Sequence, residues 1–549
     1  MPYYTFRGNL NAAAYPLVSA FGGRTIINPQ MDQNFAKVPG FAGEDADRDI
    51  GIPQIFYLHN VVPTGQGMQS VGFREVIDQY TVDANNFDNA FPISDTDQNK
   101  GIFVPGAGSN YFFNSNNNAW QSITPFPPGS FPEPGLVTTA QVQGRTFIFY
   151  ENIGCYEYNF VTNTMNPITL TGLVAANIKG ICSSGLYLIA WDGDNALFWG
   201  GVTGVTLLNF TPSLSTGAGT STPNDLKGDI VVVLPMTGGY CIYTNQNAVY
   251  GGYTGNIRFP WVWKEIQFAG GVTTPQVVSY ETGAGAHYAW TTKGLQKVSR
   301  NTAEGIFPEC ADFFSARIFE DFDPVTEEFT RTYLNSDLFL NLALIGARYL
   351  ILSYGVNNGL FTHALIYDLN LKRFGKLKLT HTDVFAWNAP NLFGVQTYDD
   401  LEGRTYDDLA GTTYDQLSQQ QRTSPKPKRD IAFLQQDGTV QILNFDLGNF
   451  QTDSVLLIGK FQLIRNRLLT VLDLEIENVD LTNSNFLIKL FTSYDGKNFA
   501  TKNTLTLKKT REDLQVYGCR VTGQNHTLYF YGAFNLVTYI FSGSNAGDR

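Results

Sequence analysis

The chain has 549 residues and a formal charge of −12, with 49 acidic side chains against 37 basic ones. Hydrophobic residues make up 43%, aromatic residues 14% and charged residues only 16%, with 53 glycines, which is ample for a core, sparse for a helical surface, and suited to β-structure with many tight turns. The acidic excess argues against gripping nucleic acid, which needs Lys and Arg to displace counterions from phosphate, and no apolar run approaches the roughly 18 residues needed to cross a bilayer.

Residues 1–95 are rich in Gly, Pro, Asn and Asp, with an acidic cluster GEDADRD from Gly43 and a strand candidate IPQIFYLHNVV from Ile52. The amino terminus, MPYYTFRGNL, has neither a basic region nor an apolar stretch of a secretory signal. The segment reads as an extended or platform region laid over a neighbour or over the rest of the fold. SDTDQNKG from Ser94 resembles the start of a calcium loop, but Lys100 stands where the sharp turn needs Gly, and the twelfth position is Gly106 rather than Glu. A hydrated turn is the expectation.

From there a hairpin recurs, in which a strand ends in a polar or Gly-containing turn and an aromatic-rich strand follows. It reads RTFIFYENIGCYEYNF from Arg145, LYLIAWDGDNALFWGG from Leu186, YCIYTNQNAVYGGY from Tyr240, AHYAWTTKGLQKVS from Ala286 and DIAFLQQDGTVQILNF from Asp430, with a longer version from Arg348. The turn markers Asn152, Gly193, Asn245, Lys293, Asn357 and Asp437 are 41, 52, 48, 64 and 80 positions apart. That spacing predicts an all-β fold with a β-propeller over residues 96–460, of about six blades, each a small sheet whose apolar faces are covered by its neighbours. Separate β-sandwiches with similar hairpins are the alternative.

The widest interval, from Asn357 to Asp437, holds an insertion over residues 396–429 that contains TYDDLEGRTYDDLAGTTYDQL. Thr397, Thr405 and Thr413 repeat with a period of eight, each followed three residues later by Asp400, Asp408 or Gln416, the spacing of a helix capping box. Each unit reads as one capped turn, in which Tyr398 with Leu401, Tyr406 with Leu409, and Tyr414 with Leu417 share a face. These twelve residues are the candidate interaction insertion, with SPKPKRD from Ser424 as a stiff basic return. Residues 461–549 alternate apolar and polar positions, as in FLIKLFTSYDGKNF from Phe486, and predict a compact β-sheet or sandwich domain.

No catalytic, metal or cofactor signature accompanies these patterns. Cys155, Cys182, Cys241, Cys310 and Cys519 are odd in number and include no C-x-x-C pair, so a reducing folding compartment is expected. His59, His287, His363, His381 and His526 show no ligand spacing. Nucleophile-elbow and phosphate-loop motifs do not occur. SYDGKNF from Ser493 resembles a sialidase Asp-box in part but lacks its spacing and its final Trp, so Asp495 and Gly496 read as a hairpin turn. The neighbouring acids Asp192 with Asp194, and Glu320 with Asp321 and Asp323, read as solvated turn residues rather than as the converging pair of a glycosidase. The expectation is a non-enzymatic protein without cofactor or membrane insertion.

Four stretches carry a resemblance: IPQIFYLHNVVPTGQGMQSVGF, ALFWGGVTGVTLLNFTPS from Ala196, GDIVVVLPMTGGYCIYTNQNAVYGGYTG from Gly228, and the TYDDL array, with GKFQLIRNRLLTVLDLEIE from Gly459 as a weaker fifth. Together they resemble the tail nozzle proteins (tail tubular protein B, or tail hub) of short-tailed, podovirus-type bacteriophages. The resemblance implies a structural virion protein, assembled in the host cytoplasm into a hexameric ring below the portal and adaptor. It also implies tail adaptor, fibre or spike proteins as partners, and duplex DNA passing through the lumen without tight binding during ejection. Two other readings stay open: a receptor- or carbohydrate-binding tail adhesin using Trp261 and Trp263 as stacking platforms, and a polysaccharide-degrading propeller. For those two tryptophans, blade core is the simpler expectation.

Overall fold

The computed structural model describes most of residues 55–545 and two strands before them, at Tyr3–Asn9 and Arg48–Asp49. Residues 10–47, 78–88, 124–135 and 389–428, and several shorter connections, lie outside the described residues. The described elements are overwhelmingly β-strands, arranged as a seven-bladed propeller and a β-sandwich.

Numbered in chain order, blade 1 starts with strands Phe91–Ser94 and Lys100–Pro105, and blade 2 with Val137–Val142 and Arg145–Tyr150. Blade 3 starts with Ile178–Ser184 and Tyr187–Asp192, blade 4 with Ile230–Met236 and Gly239–Thr244, and blade 5 with Val278–Ser279 and Ala286–Thr291. Blade 6 runs from Phe339–Ile345 to Arg373–His381. Blade 7 joins Asp383–Asn388, Arg429–Leu434 and Val440–Asn444 to Gly72–Ile77, a strand from the other end of the chain. Arg74 pairs with Ile442 and Phe73 with Leu443 in this last sheet, so the ring is closed by two chain segments that must both be present.

Period-two alternation explains why the blades stack. In Arg145–Tyr150, Phe147 and Phe149 pack into the core shared with blade 3, while Ile148 and Tyr150 face the core shared with blade 1. Successive side chains of a strand point to opposite faces, so a strand buried on both sides reads as an unbroken apolar run. Apolar cores continue around the ring and return to the start, where Trp120 and Phe113 of blade 1 meet Trp387 and Phe385 of blade 7. Burying each such side chain contributes roughly 1.5–3 kcal/mol.

Seven blades form where about six were expected. The markers Asn152, Gly193, Asn245, Lys293 and Asp437 all fall between the second and third strands of their blades, and Asn357 falls between the corresponding strands Tyr349–Gly355 and Phe361–Asp368 of blade 6. The additional blade is the first, whose hairpin joins Lys100–Pro105 to Asn110–Asn114 across a short Gly-rich connection. The interval of 64 between Lys293 and Asn357 contains an extra two-stranded hairpin, Ile318–Asp323 with Glu328–Tyr333.

The sandwich draws on both ends of the chain. One sheet orders Ile55–His59, Val455–Phe461, Asn525–Tyr531, Leu487–Ser493 and Ala500–Lys502. The other contains Val61–Pro63, Met68–Ser70, Asn535–Asn545, Leu469–Asn478, Leu514–Gly523 and Thr506–Arg511. Leu456, Leu528 and Phe530 of the first pack with Leu474, Ile476 and Phe541 of the second. Residues 55–77, expected as part of an extended covering segment, are therefore integral strands of both bodies.

Their placement is set by close backbone approach and side-chain ties. At Gly67 any Cβ would fall 1.8 Å from the Leu536 carbonyl oxygen, so only glycine fits. The Ser454 hydroxyl donates to the Asn60 carbonyl at 2.7 Å, and the Arg373 guanidinium of blade 6 donates to the Thr64 and Gly67 carbonyls at 3.2 Å. Val61 also pairs with Lys376, which joins the second sandwich sheet to blade 6.

Candidate functional site

The first strands of the blades surround an axial cavity of about 790 Å³, to which all seven blades contribute. Its wall is mostly apolar and hydroxyl-bearing, including Val137, Cys182, Val233, Leu342 and Phe385, and Asp383 is its one carboxylate among the described residues. Asp383 opens blade 7. Its carboxylate accepts hydrogen bonds from the Ala90 N–H beside blade 1 at 2.6 Å, from the Asn341 amide of blade 6 at 2.5 Å, and from the Val384 N–H at 2.7 Å. Burial, opposed by those bonds, pushes its pKa up to about 6. A single side chain thus ties three blades at the seam where the ring closes, and the geometry is that of a latch.

A second cavity, of about 420 Å³, opens on the face where the first-to-second-strand turns emerge. Gly185 and Leu186 make that turn in blade 3, and Thr237 and Gly238 make it in blade 4. Gly185 and Gly238 sit at φ 58° and 77°, a region open to glycine at little steric cost. The turns are cross-linked, because the Ser184 hydroxyl donates to the Gly239 carbonyl at 2.8 Å and the Gln143 amide donates to the Leu186 carbonyl at 2.8 Å. Tyr187, Tyr253 and Trp261 form the aromatic wall, with Tyr187 and Trp261 rings meeting edge-on at 5.2 Å. Burial raises the Tyr187 phenol to about 12.

Trp261 is buried at 6% exposure and Trp263 is half-buried; both pack on the main core, as the blade-core expectation has it, so neither is a free platform. The Trp263 indole donates to the Tyr240 hydroxyl at 3.0 Å, whereas that of Trp261 has no acceptor.

Two buried histidines are held between hydrogen-bond partners. His287 sits between the Tyr243 hydroxyl at 3.1 Å and the Pro235 carbonyl at 3.0 Å, and His381 between the Leu379 carbonyl at 2.7 Å and the Ser353 hydroxyl at 2.8 Å. Burial pushes His287, His381 and His526 down to about 4, so all three are neutral imidazoles at pH 7. Cys155, Cys182, Cys241 and Cys519 are buried free thiols, and burial pushes Cys155 and Cys241 up to about 12.

Asp192 lies at a hairpin turn as expected, its carboxylate accepting from the Asp194 and Ala196 N–H groups at 3.0 and 2.9 Å. Glu320, Asp321 and Asp323 correct the turn expectation: they belong to the strand Ile318–Asp323, paired in register with Glu328–Tyr333, since the sequence carries no residue that lacks a backbone donor until Pro324. Of the calcium-like segment, Ser94 and Lys100 pair across the first hairpin of blade 1 and residues 95–99 lie outside the described residues. The turn expected at Asp495 and Gly496 also lies outside them.

The insertion at Thr397, Tyr398, Asp400, Leu401, Thr405, Tyr406, Asp408, Leu409, Thr413, Tyr414, Gln416 and Leu417 lies outside the described residues too. Its flanks are described: Asn388 and Arg429 are paired partners in blade 7, so the insertion leaves and re-enters the blade at one point.

No protein-family profile and no curated protein matches the chain. Among solved structures it is similar to the WD40 β-propeller domain of Doa1, at 9% identity and a TM-score of 0.37, over 68% of this chain and 98% of that one. It is also similar to the extracellular domains of two putative sensor systems of B. thetaiotaomicron. BT4673, a one-component system, matches at 10% identity over 77% of this chain, and BT3049, a hybrid two-component system, at 12% over 78%, both with a TM-score of 0.37. The matched parts are 44% and 48% of those two chains.

Proposed function

We propose that the chain is a non-enzymatic structural subunit of the tail of a short-tailed bacteriophage, acting as its nozzle. The observation that carries the reading is where the family-like stretches fall. IPQIFYLHNVVPTGQGMQSVGF supplies the strands Ile55–His59, Val61–Pro63, Met68–Ser70 and Gly72–Ile77, which tie the sandwich to blade 6 and close blade 7. The weaker stretch from Gly459 supplies Leu469–Asn478 at the middle of a sandwich sheet. Of the stretches of resemblance, these two thus fall at the joint and in the sandwich, while those from Ala196 and Gly228 build blades 3 and 4 and the TYDDL array lies outside the described residues.

In this reading the sandwich and its neighbours in a hexameric ring surround passing DNA, and the propeller projects outward toward adaptor, fibre or spike proteins. The axial cavity of the propeller is lined by residues of all seven blades and, at about 790 Å³, is too small to hold a duplex. The formal charge of −12 disfavours tight adhesion to phosphate. Two measurements on purified protein test the proposal together. Light scattering should give a ring-sized oligomer, and duplex DNA should bind weakly and without strong salt dependence. A monomer at all concentrations, tight salt-sensitive DNA binding, or release of reducing ends from host surface polysaccharide would overturn it.

A further inference from the structure

The cavity between blades 3 and 4 has a lining unlike that of a packing defect. Its volume, about 420 Å³, lies in the range of small-molecule sites, and it is open at one side rather than sealed in the core. None of its lining residues carries a formal charge; the wall combines the aromatic residues Tyr187, Tyr253 and Trp261 with the polar Gln141, Ser183 and Thr237. A charged ligand would find no counter-ion there, and a purely apolar one would leave hydroxyl, amide and turn backbone groups facing it. A ring that is apolar on its faces and hydroxylated at its edge matches both sets of groups.

Trp261 adds an independent observation. Among the described residues the indole N–H groups of Trp120, Trp199 and Trp263 donate to Gly438, Gly217 and Tyr240, whereas those of Trp191 and Trp261 are buried without an acceptor, and of these two only Trp261 lines the cavity. A buried donor left unanswered is costly. Tyr253, 46% exposed at the mouth, meets the Trp261 ring at 5.7 Å. Both rings line the cavity, so the unanswered indole belongs to its wall.

We propose that this cavity is a binding site for an uncharged saccharide unit, stacked against the half-exposed Tyr253 ring and hydrogen-bonded through its hydroxyls to Gln141, Thr237 and the Trp261 indole. The site is independent of the nozzle assignment, since it lies within one chain and requires no oligomer.

The test uses the full chain with glucose, galactose, mannose, N-acetylglucosamine, maltose, lactose, cellobiose and chitobiose, read by saturation-transfer NMR and tryptophan fluorescence. At least one sugar should bind saturably. Tyr253→Ala, which removes a half-exposed ring, and Trp261→Phe, which keeps the aromatic packing but drops the N–H, should each weaken it about tenfold. Trp261→Phe should leave the melting midpoint unchanged or raised, because it deletes an unanswered donor. Failure of every sugar to bind more tightly than about 10 mM, or binding that neither variant weakens, would overturn the site.

Discussion

Replacing His287 by Asn should change how the protein responds to acid, by an amount that follows from four buried groups. His287, His381 and His526 titrate at about 4 in the folded chain against 6.5 as free side chains, chiefly because burial disfavours the imidazolium. Each therefore contributes stability that is complete above pH 6.5 and is lost as the pH falls toward 4, about 3 kcal/mol apiece. Asp383 works in the opposite sense. Its folded value of about 6 lies above 3.8, so its contribution is complete below pH 3.8 and is lost as the pH rises through 6.

Near pH 5 the unfolded chain thus holds about three more protons on the histidines and about one fewer on Asp383, a net uptake on unfolding of about two. Stability should fall by roughly 3 kcal/mol per pH unit there, steep against a total that is typically about 5–15 kcal/mol. Proton uptake on urea unfolding at pH 5, followed potentiometrically, reads this number directly. His287→Asn should lower the uptake by about one proton, and Asp383→Asn should raise it by about one. Uptake that neither substitution alters would refute the assignment of these groups as the source of acid sensitivity.

Three further outcomes follow from the seam and the insertion. Asp383→Ala leaves the Ala90 N–H and the Asn341 amide without their acceptor and should cost about 2–4 kcal/mol in urea unfolding; a neutral result would show that the latch is dispensable. Phe73→Ala removes an edge-on contact with Phe433 at 5.6 Å on the closing strand and should lower stability by about 2 kcal/mol, seen as earlier protease cleavage of blade 7. Deleting residues 397–417 should leave the propeller folded, since Asn388 and Arg429 are already paired, while abolishing assembly with neighbouring subunits or tail proteins. Normal assembly by the deletion variant would remove the contact role of the array.

The propeller was legible in the sequence wherever a hairpin carried its own punctuation. Asn152 and Gly193 lie at tight turns between runs such as Phe147–Tyr150 and Leu188–Trp191 that are buried throughout, and doubly buried strands announce themselves as continuous apolar stretches. Blade 1 carried a weaker signal, because its strand Phe91–Ser94 is short and its hairpin connection follows a proline, Pro105. Gly72–Ile77 gave no sign of its partner, since pairing across the ring depends on closure rather than on neighbouring residues. The same holds for the sandwich, whose strands Ile55–His59 and Val455–Phe461 are adjacent in space and remote in sequence. The saccharide-sized cavity was hidden for a related reason: Gln141, Leu186, Gly238 and Trp261 come from three blades, and a sequence shows Trp261 only as one more aromatic in a strand.

The most direct test of the nozzle assignment is a low-resolution image of the tail particle with this chain labelled at its carboxyl terminus. The assignment predicts six copies of the label in a ring centred on the tail axis, with propeller-sized densities projecting outward. Label confined to peripheral spikes or fibres, off the axis, would contradict it.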